Sequence, residues 1–202
     1  LNDAARKVGD AWDPDRDTAA GLQCKSYGAP AIMRVPGRIR IMWKDPNTLQ
    51  IDTEAGTQTR LLHFGKPEAA EAGTWQGQST ATWFMPVAPA FGGGGAAVGP
   101  APNPGAGGGG GRGGRGRMPT RIKVTTENIR PGYLRKNGVP YSADATMIEY
   151  FDVLPQADGG PWLIVSNFVD DPQYLAQTFA TSAHFKKLAD GSAWKPEPCV
   201  AK

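Results

Sequence analysis

Eight short runs in which apolar and polar residues alternate one by one make this chain a β-sheet protein. Successive side chains of an extended strand point to opposite faces, so a period of two writes one buried face and one wet face. The runs are 38–43, 49–54, 57–64, 78–85, 121–127, 146–153, 162–170 and 178–187. The pattern is clearest in Arg121–Glu127, where Ile122, Val124 and Thr126 alternate with Arg121, Lys123, Thr125 and Glu127. Turn residues separate several of the runs: Asp45-Pro46-Asn47, Ala55-Gly56 and the hairpin signal Asp158-Gly159-Gly160. Helical stretches are too short to cover a parallel sheet. The expected fold is mainly β: an antiparallel meander of about eight strands curling into a lipocalin-like barrel or half-barrel, because curling removes exposed edges.

Two segments depart from this pattern. Residues 1–30 are polar and weakly helical; Asn2 or Asp3 is placed to cap a short helix through Lys7, and Asp13-Pro14-Asp15 to close off its continuation. Residues 86–119 are of low complexity, and 14 of the 25 residues from Gly92 to Gly116 are glycine. Such a segment buries too little apolar surface to offset its ordering entropy. It reads as a long Gly/Pro-rich loop inserted between two strands of a single β domain spanning 1–202.

Charge narrows the partners. The net charge of +3 equals the contribution of Arg112, Arg115 and Arg117, all inside the glycine-rich segment; the other 19 basic residues balance 19 acids. The remainder therefore has no general basic face for nucleic acid or anionic lipid. The Arg-Gly run resembles RNA-binding segments, but no aromatic residue is interleaved, so a solvated loop is the better reading. No apolar run approaches membrane-spanning length. The chain starts at Leu1, which reads as a processed or trimmed product.

Cys24 and Cys199 fit no metal spacing and no redox motif. They are either two buried thiols or a bridge tying the ends of the chain. The bridge is the reading we favour, and it implies an oxidising compartment.

Candidate chemistry is sparse. The connection Arg130–Tyr141 gathers Arg130, Arg135 and Lys136, suited to a carboxylate or phosphate, with Tyr133 and Tyr141, suited to stacking on a ring. The competing reading is a packed turn in which Asn137-Gly138 fixes register. His63 and His184, near Glu149 or Asp52 if the barrel closes suitably, are candidates for acid–base work, although no spacing favours a metal. Asp170-Asp171 before Pro172 suits a turn better than a carboxylate pair. No phosphate loop, dinucleotide fingerprint or nucleophile elbow occurs, and no cofactor is expected. Trp43, Trp83 and Trp162 lie in strands, where they either fill the core or line a cavity.

Several stretches are distinctive together: 122–142, Thr146–Phe151 with Val169–Leu175, Thr74–Ser79 and Ala55–Arg60. Over nearly the whole chain these resemble an uncharacterised family of exported bacterial β-rich proteins with no established activity. The resemblance implies a periplasmic or extracellular address, a signal peptide upstream and cysteines at the positions of Cys24 and Cys199. It implies no catalytic residue. Three functions are then open: binding of a small apolar or aromatic ligand, acid–base catalysis by a histidine and a carboxylate, and self-assembly through residues 86–119.

Overall fold

The computed structural model describes residues 1–65, 73–84, 121–155 and 160–202. The glycine-rich segment 86–119 and most of the Asp158-Gly159-Gly160 turn lie outside them. The chain begins with helices α1 (Asp3–Asp10) and α2 (Pro14–Ala19), a 3-10 turn at Gln23–Tyr27 and α3 (Ala29–Ile32). The Asn2 side chain caps α1 by accepting from the Ala5 N–H. Asp13 accepts from the N–H groups of Asp15 and Arg16 and opens α2 with Pro14 in its first turn. Asp13-Pro14 thus starts a helix, where the sequence reading had it only ending one: a proline closes the preceding helix, yet fits the first turn of the next.

Among the described residues ten strands follow: β1 (Ile39–Asp45), β2 (Thr48–Thr53), β3 (Gln58–Phe64), β4 (Gln78–Phe84), β5 (Arg121–Glu127), β6 (Gly132–Tyr133), β7 (Pro140–Tyr141), β8 (Thr146–Leu154), β9 (Trp162–Asp170) and β10 (Phe179–Lys186). Eight of them form one sheet in the order β1-β2-β3-β4-β5-β8-β9-β10, and β6 and β7 form a separate small hairpin. The eight alternating runs of the sequence are these eight strands. β3 and β4 run parallel, with Leu62 opposite Ser79 and Phe64 opposite Ala81, so the sheet is mixed and not an antiparallel meander. The connection between them is long enough to return the chain to the starting end, which a tight hairpin does not do. It is tied down there: Ala29 N–H donates to the Trp75 carbonyl at 2.9 Å, and the Gln76 side chain to the Tyr27 carbonyl at 2.8 Å.

The sheet curls into a half-barrel. Its concave face carries Ile51, Leu62, Ala81, Val124, Phe151 and Val165, all buried. Tyr27, from the polar segment 1–30, and Ile32 and Met33, just beyond it, join the same core and form an apolar plug. Each such side chain contributes about 1.5–3 kcal/mol of burial. A Cys24–Cys199 disulfide, with Cα atoms 5.1 Å apart, staples the plug to the C-terminal segment. Beside it Gly56 adopts φ +73°, and any side chain there would strike the Tyr27 ring. No helix among the described residues is long and apolar enough to cross a membrane.

Candidate functional site

The curl decides what becomes of each candidate residue. Glu149 lies on the concave face, where its side chain is fully buried against Arg60: Arg60 Nη1 donates to Oε1 at 3.1 Å and Nη2 to Oε2 at 2.6 Å. His63 lies on the opposite face of β3, with Nδ1 3.4 Å from the Thr48 hydroxyl. Asp52 accepts from the Gln50 amide and the Thr59 hydroxyl. His184 is exposed on β10, with Nε2 3.2 Å from the Ser182 hydroxyl. Neither histidine has a carboxylate partner among the described residues. No group of three His, Cys, Asp or Glu side chains converges among them either. Asp171 is a structural acceptor, taking the Ser142 N–H at 2.6 Å and the Ser142 hydroxyl at 2.9 Å.

The Arg130–Tyr141 connection contains the β6–β7 hairpin, and its side chains mostly serve packing. Gly138 turns at φ +75° against Trp12. The Tyr133 hydroxyl donates to Asp17 at 2.8 Å, and Lys25 donates to the same carboxylate at 2.9 Å. Burial pushes the Asp17 carboxyl up, but the hydrogen bonds from Lys25, Tyr133 and Trp12 outweigh it and hold the group below its ordinary value. Tyr141 is buried in the second core cluster. The Arg130 guanidinium lies 4.4 Å from the Trp75 ring centroid, and Lys136 Nζ 4.9 Å from that of Tyr27. Of the five residues, Arg135 and Lys136 line a common cleft. The geometry does not assemble the five as one ligand site.

A larger concavity lies elsewhere. Among the described residues β1 and β10 are the two edges of the sheet and do not pair. Between them opens a cleft of ≈ 960 Å³. Its apolar walls include Ile39 and Ile41 from β1, Leu163 from β9, Phe185 from β10, and Leu188 beyond it. Ile41 is 40% and Leu188 52% exposed, so this apolar surface is accessible. Trp194 closes one side, with the Arg40 guanidinium 4.5 Å from its ring centroid.

The rim is cationic. Arg38, Arg40, Lys186 and Lys187 line it, against the two acids Glu54 and Asp190. Both acids are already engaged. Glu54 pairs with Arg38 at 3.3 Å and accepts the backbone N–H groups of Arg38 and Lys195. Burial raises its carboxyl, and these hydrogen bonds more than reverse the effect. Asp190 accepts from the hydroxyl and N–H of Ser192, which lowers its pKa. Of the three strand tryptophans, Trp43 and Trp83 flank Phe64 at ring-centroid distances of 5.4 and 5.1 Å, while Trp162 lies on the convex face.

The fold and cleft define a mixed-sheet β half-barrel with an apolar, cation-rimmed seam. No family model, no curated protein and no solved structure matches the chain.

Proposed function

We propose that this chain is an exported binding module that takes a small apolar or aromatic molecule bearing an acid group in the cleft between β1 and β10. The observation that carries the reading is the cleft itself: ≈ 960 Å³ of space at the seam of the sheet, with exposed apolar walls and a rim on which Arg40 and Lys187 stand beside the Arg38–Glu54 pair. Its size is that of a small-molecule pocket, and apolar walls with a few charged groups are what such pockets use for affinity and orientation. The Cys24–Cys199 bridge supports export, since such bonds persist in oxidising compartments. The resemblance to exported bacterial proteins points the same way.

Titration with a panel of aromatic carboxylates and their neutral amides, followed by tryptophan fluorescence, tests the reading, because Trp194 borders the cleft. We expect saturable quenching by the acids, weaker binding of the amides, and loss of both in Ile41→Asp. This exposed edge position accepts a charge without entering the core. Absence of a saturable response across the whole panel refutes the reading.

A further inference from the structure

A second site is built where the plug meets the β6–β7 hairpin, and it shares no residue with the seam. Arg34 follows α3, and its side chain folds back to donate to the Pro30 and Leu134 carbonyls. Its Nε is buried without a hydrogen-bond partner. The guanidinium carbon lies 5.1 Å from the Phe179 ring centroid, and that of Arg135 lies 5.6 Å from the same ring. Among the described residues neither arginine is in an ion pair. Arg34, Arg135 and Lys136 all line a cleft of ≈ 230 Å³. Arg135 also lines an adjoining cleft of ≈ 310 Å³ whose walls include Val139, Leu175 and Phe179.

Cations gathered in this way are costly without a counter-charge. A charge removed from water is tolerated when it is paired, and like charges side by side oppose one another. Burial first, and then the positive charge of Arg135, push Arg34 down to about 10. Structural arginines in this chain are treated differently: Arg60 has Glu149, Arg38 has Glu54 and Arg121 has Asp152.

We propose that Arg34 and Arg135 form an oxyanion site for the phosphate group of a small phosphate monoester, whose organic part occupies the adjoining apolar cleft. Guanidinium N–H groups match phosphate oxygens in paired, charge-assisted hydrogen bonds. A phosphate dianion offsets both cations, where a carboxylate offsets one. Val139, Leu175 and Phe179 supply contact for a ring or short alkyl group.

The test uses phenyl phosphate, inorganic phosphate and benzoate at matched ionic strength with sodium chloride as the reference. The readouts are the Arg34 Nε–Hε resonance and the melting temperature. The expected result is a saturable shift of that resonance with both phosphates, tighter binding of phenyl phosphate, and a rise in melting temperature beyond that in chloride. Arg135 is exposed, so Arg135→Gln keeps the fold, and removing its charged contact should weaken phenyl phosphate about tenfold. A response to phosphate no larger than to chloride overturns the site. Unchanged affinity in Arg135→Gln overturns the role of that residue, and benzoate binding as tightly as phenyl phosphate overturns the choice of phosphate.

Discussion

Replacing Glu149 with leucine tests what holds the half-barrel in its curl. Glu149 sits on β8 and Arg60 on β3, with β4 and β5 between them in the sheet. Three strand spacings amount to about 14 Å across a flat sheet. The two side chains nevertheless meet in a two-point contact at 3.1 and 2.6 Å, because the sheet bends them toward one another. β4 presents the small residues Ser79 and Ala81 on its inner face, which leaves room for the pair to reach across. Both charged side chains are 0% exposed. Removing one partner of such a pair strands a charge in a dry interior and costs about 3–5 kcal/mol. Against a typical total of about 5–15 kcal/mol, that loss is severe. The polar patch is also incompletely satisfied: Arg60 Nε and Asn167 Oδ1 have no hydrogen-bond partner, and Asn167 lies opposite Glu149 on β9. Replacing both partners by apolar residues, Arg60→Met with Glu149→Leu, should therefore recover most of the loss or exceed the parent by about 1–4 kcal/mol. Urea unfolding followed by tryptophan fluorescence, with the disulfide intact, measures all three variants. Glu149→Leu within about 1 kcal/mol of the parent, or a double variant no more stable than the single one, refutes the reasoning.

Two further outcomes are expected. The disulfide closes a loop across a separation of 175 residues, so reduction should cost roughly 5 kcal/mol on the chain-entropy model; thermal melts with and without reductant measure the loss, and intact mass showing two alkylated thiols without reductant contradicts the bridge. The Tyr141 hydroxyl is buried without a partner against Gly28 and Gly132, and burial raises its pKa above the ordinary 10.0; the unfolded chain therefore ionises first, and stability should fall as pH rises above 10. Tyr141→Phe should match the parent or gain up to about 1 kcal/mol at neutral pH and lose less stability on the alkaline side, as urea unfolding across that range shows.

Strand existence was legible because alternation is a local property. Ile122, Val124 and Thr126 turn one way whatever their neighbours do, and the structure places them on the concave face. Strand direction was not legible. Alternation in Thr57–Phe64 and Gln78–Met85 says which face each residue takes, but not which edge it meets or in which sense. The parallel β3–β4 pair depends on where the chain re-enters the sheet, and contacts of Trp75 and Gln76 with Ala29 and Tyr27, far away in sequence, anchor that point. The buried ion pair did leave a signal. Arg60 is in phase with Leu62 and Phe64, and Glu149 with Met147 and Phe151, so two opposite charges occupy inward positions on separate strands. Read together, they mark a bridge across the concave face; read singly, Glu149 passed for a candidate catalytic acid.

The candidate sites were harder to see for a physical reason. A motif is a run of residues, but the seam is a place where two strands fail to pair. Ile39 and Ile41 look like ordinary core positions of an edge-protected sheet until β10 leaves β1 uncovered, and only then do they become walls of a cleft. The Arg130–Tyr141 connection misled in the opposite sense. Its cations and rings suggested a binding mouth, but Tyr133 is taken by Asp17, Tyr141 by the core, Arg130 by Trp75 and Lys136 by Tyr27. Arg135 keeps no acidic partner among the described residues, and its counterpart Arg34 comes from a segment about a hundred residues earlier. Charge that the fold leaves uncompensated is therefore the better guide to a site here than charge that is clustered in sequence, because clustering records only proximity along the chain.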